Sequence, residues 1–62
     1  MSLAYIVIDN LQIPAQKFEE KNEALNVSKD KEVVVEDNNE RYWVIDEENY
    51  AKVEPFGYSK VE

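Results

Sequence analysis

The sequence has no cysteine and no histidine, a single glycine and only two prolines. Without cysteine, no disulfide or thiolate metal site can hold the chain, and the composition fits a reducing cytoplasm, the expected location. Without histidine, the commonest general base and the commonest transition-metal ligand are both missing. With one glycine and two prolines, turns must be built from Asn, Asp and Pro. No apolar run is long enough to cross a bilayer. The opening MSLAYIVIDN lacks a basic n-region, and its apolar run stops at Asp9, so it does not read as a signal peptide.

Positive charge is scarce as well. Seven Lys and Arg stand against fourteen Asp and Glu, a net charge of −7. Residues 1–31 hold five acids and four bases, net −1, and residues 32–62 hold nine acids and three bases, net −6. Such a chain is repelled by nucleic acid and anionic membranes and attracted to basic surfaces. The acidity also has a plain explanation, because net charge keeps small proteins in solution.

What is present argues for one folded domain over residues 1–62. A chain of this size buries only about 60% of the surface it exposes when unfolded. The 44% hydrophobic content comes in β-branched and aromatic runs, which sets the chain apart from disordered acidic tails. Residues 4–8, 32–36 and 41–46 read as strands, and Asp9-Asn10 closes the first with turn residues. Asn38-Asn39 reads as a tight hairpin turn.

That turn predicts a register. Glu36 faces Arg41, Val35 faces Tyr42, Val34 faces Trp43, Val33 faces Val44 and Lys31 faces Asp46. The two opposite-charge pairs support it at roughly 0.2–1 kcal/mol each. Val33, Val35, Tyr42 and Val44 then share the core face, and Val34, Trp43 and Ile45 lie opposite with Glu36 and Arg41. In residues 14–25, a short helix is narrowly favoured over an extended loop. Leu11, Ala15, Phe18 and Leu25 have helical spacing, but Lys17–Lys21 and Glu19–Glu23 are like-charge pairs four apart. Residues 46–49 read as a turn or 3₁₀ turn, 50–54 as a closing strand stopped by Pro55, 56–58 as a turn and 58–61 as an edge strand. The expected fold is mostly β: a small antiparallel sheet or SH3-like barrel of about five short strands, with one short helix near 14–25.

The stretch from Ala24 to Val53 resembles the later part of an SH3-like barrel. Ala24-Leu25-Asn26-Val27 followed by Ser28-Lys29-Asp30-Lys31 stands where that fold has its diverging turn. Val33-Val34-Val35 stands for the next strand, Tyr42-Trp43 for an aromatic pair, and Asn49-Tyr50 with Lys52-Val53 for the closing 3₁₀ turn and strand. Residues 4–9 loosely resemble the first strand. Glu47 occupies the place of the proline that normally precedes the Asn-Tyr. The resemblance therefore implies the barrel and the aromatic positions Tyr42, Trp43 and Tyr50 rather than binding of proline-rich peptides.

No catalytic constellation survives inspection. Acid–base work needs a carboxyl whose pKa is raised by burial, and Glu36-Asp37 and Asp46-Glu47-Glu48 fall in solvated turns. In a calcium-loop frame Asp37, Asn39 and Glu48 fit positions 1, 3 and 12, but Arg41 and Tyr42 stand where an oxygen ligand and glycine are required. There is no phosphate loop, no nucleophile with a base and no basic patch. No enzyme activity, cofactor or metal is expected.

The expected role is a non-enzymatic interaction protein. Glu36, Asp37, Glu40, Asp46, Glu47, Glu48 and Glu54 would meet a basic protein partner, with Trp43 or Tyr50 as apolar anchor. In the sharpest form the carboxylates mimic nucleic-acid phosphates and block a nucleic-acid-binding groove, in the manner of small phage-encoded inhibitors. Direct contact with nucleic acid or membrane is not expected. Two alternatives stay open: an SH3-like module binding a peptide or protein, and a homodimer formed through a surplus apolar face or the 4–8 strand. Trp43 likewise has two readings, core residue or surface anchor.

Overall fold

The computed structural model describes residues 2–61, with side chains described from Ala4 onward. Five antiparallel strands form one sheet: β1 (Ser2–Ile8), β2 (Leu11–Phe18), β3 (Glu32–Glu36), β4 (Tyr42–Asp46) and β5 (Ser59–Val61), in the order β1-β2-β4-β3-β5. Helix α1 (Lys21–Val27) links β2 to β3. A 3₁₀ turn (Glu47–Asn49), helix α2 (Tyr50–Val53) and a second 3₁₀ turn (Glu54–Phe56) link β4 to β5.

The β1–β2 hairpin turns on Asp9 and Asn10, whose φ values of 49° and 68° are both left-handed. Two such residues make a type I′ turn, and its twist matches the flanking strands. Ile8 then meets Leu11, Ile6 meets Ile13 and Ala4 meets Ala15. This pairing overrides the expected helix over 14–25. Leu11, Ile13 and Ala15 alternate at strand period, and the residue before Pro14 is steered toward extended backbone. The helix forms later, over Lys21–Val27, so Lys17 and Glu19 stay outside it and both like-charge pairs are avoided. Pro14 has no N–H to give a neighbouring strand, and the β2–β4 pairing runs only from Gln16 to Phe18.

The β3–β4 hairpin is paired one residue away from the expected register. Val33 faces Ile45, Val34 faces Val44, Val35 faces Trp43 and Glu36 faces Tyr42. The cause is the loop. Asp37 N–H donates to Arg41 C=O at 3.0 Å and Glu40 N–H to Asp37 C=O at 3.3 Å, with Glu40 left-handed at φ 63°. This is a three-residue loop with a bulge rather than a two-residue turn at Asn38-Asn39. The slip of one residue regroups the faces. Neither expected ion pair forms across the ladder, and Asp46 instead faces Glu32.

The regrouped sheet has a core on each side. Ile6, Ile8, Ile13, Ala15, Val35, Trp43 and Ile45 form the larger cluster, closed by Val53 of α2. Phe18, Val34 and Val44 form the smaller, closed by Ala24 of α1. Both faces of the β3–β4 hairpin are thus covered, which accounts for its unbroken apolar sequence. Residues 50–54 were expected to be a strand and are helical because Tyr50 and Val53 both pack on the larger cluster. Residues three apart share one side of a helix but opposite sides of a strand. The single glycine, Gly57, ends the second 3₁₀ turn at φ 99°, and a Cβ there would lie 2.7 Å from Asn38 Nδ2. It seats the start of β5 against the β3–β4 loop.

Candidate functional site

The acidic residues singled out in the sequence do not gather into one patch. Glu36, Asp37 and Glu40 lie at the tip of the β3–β4 hairpin, whereas Asp46, Glu47 and Glu48 lie at its base, across β4. Glu54 begins the 3₁₀ turn after α2. Of the seven, Glu40, Asp46, Glu47, Glu48 and Glu54 are exposed, and Glu36 and Asp37 are half-buried.

Asp37 is a hub of the fold rather than a free charge. Its Oδ1 accepts the backbone N–H groups of Asn39 at 2.8 Å and Arg41 at 3.0 Å, and its Oδ2 accepts the Trp43 indole N–H at 2.8 Å. Burial by itself would raise the carboxyl pKa. The hydrogen bonds from Trp43, Arg41 and Asn39 and the positive charge of Lys17 outweigh it, and the net shift is downward. The neighbouring Tyr58 hydroxyl shifts upward, through burial first and the Asp37 charge second.

Trp43 is 9% exposed and sits in the larger core, with Lys17 Nζ over its ring at 5.5 Å from the centroid. Its side chain is therefore a core residue, and the choice left open by the sequence resolves that way. Tyr50 is half-buried against the same cluster. Lys17 was not singled out in advance. Its position follows from the Lys17–Trp43 pairing of β2 with β4, and its signal was lost when residues 14–25 were read as helical.

Two hollows open beside the base. The smaller, about 170 Å³, is lined by Pro14, Gln16, Glu32, Val44 and Asp46, where β2 parts from β4 past the proline. The other is lined by Lys31, Asp46, Glu47 and Glu48. Among the described residues no three Asp or Glu side chains converge as metal ligands. What the arrangement offers is fixed surface charge. No family model, curated protein or solved structure matches the chain.

Proposed function

We propose that the chain is a non-enzymatic interaction protein whose acidic surface meets a basic protein partner, in its sharpest form by standing in for nucleic-acid phosphates. The observation that carries this reading is the placement of exposed carboxylates at both ends of one hairpin, Glu40 at the tip and Asp46, Glu47 and Glu48 at the base. β4 holds five residues, so at about 3.3 Å each the two ends lie roughly 17 Å apart. One strand of duplex DNA advances about 3.4 Å along the helix axis per phosphate, so the two acidic ends stand as far apart as phosphates about five steps along that axis. The hairpin backbone is fixed by two cores and the Asp37 hydrogen bonds, so little conformational entropy is lost when a partner binds.

The reading is tested by capture from the native host's lysate at about 0.05 M and about 0.5 M salt, a range over which surface electrostatics are strongly screened. A basic protein should be retained at low salt and released at high salt, duplex DNA should compete with it, and Glu47→Lys with Glu48→Lys should remove it. A complex indifferent to salt and to DNA sinks the reading. The SH3-like peptide-binding alternative ranks second, because it needs an aromatic anchor at the surface and Trp43 is engaged in the core and with Asp37.

A further inference from the structure

Charge is missing from one part of this acidic chain. Of residues 1–16 only Asp9 is charged, and it sits in the β1–β2 turn. All of β1 is uncharged, contains no proline and runs seven residues along the edge of the sheet. The opposite edge is guarded: β5 has three residues and carries Lys60. Short length and lysine are the usual protection of an edge against further pairing, and β1 has neither. The outward side chains of β1 are apolar and uncovered, with Tyr5 57% and Val7 64% exposed.

The turn decides which backbone groups of β1 are free. Ile8 and Leu11 flank the two-residue turn and so form the reciprocally hydrogen-bonded pair. Alternation makes Ile6 and Ala4 bond to β2 and aims the N–H and C=O of Leu3, Tyr5 and Val7 away from it. Pro14 fits this parity, since it faces Tyr5 in a pair that needs no N–H from the proline. The free backbone groups and the exposed Tyr5 and Val7 side chains thus belong to the same alternating set.

We infer that β1 pairs antiparallel with β1 of a second copy of this chain, about a two-fold axis through Tyr5. Leu3 then bonds to Val7 of the partner subunit, and Tyr5 to Tyr5 of the partner subunit. Two observations choose a second copy over another protein. Antiparallel pairing about Tyr5 sets apolar against apolar at every flanking position, Leu3 against Val7 and Ala4 against Ile6, so the strand is self-complementary. Two copies carrying −7 each repel, and the uncharged strand is where they meet at least cost. The pairing joins two five-stranded sheets into one and brings the Tyr5–Val7 strips together on the same face.

The inference is independent of the acidic reading, and salt separates them: screening weakens an acidic–basic complex but strengthens association of like-charged copies. Sedimentation equilibrium at about 100 μM should give twice the monomer mass, and dilution should dissociate it by mass action. The dissociation constant should fall as salt rises. Amide exchange at Leu3, Tyr5 and Val7 should slow with concentration, while Ala4 and Ile6 are protected in monomer and dimer alike. Tyr5→Lys with Val7→Lys places lysines at the axis and should weaken the dimer at least about 100-fold, since the loss of a central aromatic is joined by like-charge repulsion. Both side chains are exposed, so the sheet should keep its circular dichroism. A monomer at about 100 μM in high salt overturns the inference, as does a dimer untouched by the double substitution or one that leaves the Tyr5 and Val7 amides unprotected. If a peptide from another protein is the true occupant, the isolated chain is a monomer and the inference fails.

Discussion

The β1–β2 and β3–β4 hairpins are built from similar residues, yet one is covered on a single face and the other on both. In β1–β2 the inward set Ile6, Ile8, Ile13 and Ala15 is buried, whereas Tyr5 and Val7 remain in solvent. In β3–β4, Val35 and Ile45 face one core and Val34 and Val44 the other. The turns differ in the same sense. Asp9-Asn10 needs only two left-handed residues, while the second loop is held by three hydrogen bonds to one carboxylate. Similar residues thus acquire different roles, one hairpin as interior scaffold and the other as a sheet edge open to association.

The contrast is sharpest in the cost of truncation. Ile45→Ala removes a side chain that is 2% exposed and should cost about 2–5 kcal/mol. A domain of this size has only about 3–9 kcal/mol in total, so thermal denaturation should find the variant largely or wholly unfolded near physiological temperature. Asp37→Ala should cost about 2–3 kcal/mol through its lost charge-assisted hydrogen bonds. It should also release Trp43, seen as a fluorescence change.

The pH dependence has a definite sign. The Asp37 pKa is lowered in the folded state, so its stabilisation is complete above the ordinary carboxylate value and is lost as pH falls through the lowered one. Denaturant midpoints between pH 5 and pH 2 should fall less steeply in Asp37→Asn than in the wild type. An equal slope would mean that the second hairpin does not depend on this carboxylate. Gly57→Ala should cost about 1–2 kcal/mol, from left-handed strain and from crowding Asn38. Glu40→Gly should act in the opposite direction and raise stability by up to about 1 kcal/mol, because Glu40 already holds a left-handed φ that glycine adopts freely. Val7→Thr, on the uncovered face, should move monomer stability by less than about 0.5 kcal/mol. A cost like that of Ile45→Ala would show that the face is not open, and the comparison would fail.

The strands β1, β3 and β4 were legible because β-branched and aromatic runs bounded by Asn and Asp have few other solutions, whereas β2 was not, since Leu11, Ala15 and Phe18 also fit helical spacing. The 3₁₀ turn after β4 and the last edge strand were legible too. The register was not. Two cross-strand ion pairs at roughly 0.2–1 kcal/mol each favoured the expected one. The three hydrogen bonds to Asp37, together about 2–3 kcal/mol, outweighed them, and they exist only once the longer loop has formed. At the candidate site, the exposed acids were visible as residues, but their division between tip and base was not. Asp37 was read as a surface charge because its indole partner lies six residues further on, within reach only in the folded hairpin.

By itself, the sequence determined a mostly β domain without cysteine or histidine chemistry, with its negative charge concentrated in residues 32–62 and an uncharged first strand. Strand propensity, turn residues and composition act locally, so they can be read without knowing what packs where. Only the tertiary structure decided that residues 50–53 are helical, that Trp43 points inward and that both faces of β3–β4 are covered. Each of those depends on contacts between segments far apart in the chain, where burial of a few apolar side chains exceeds any local preference.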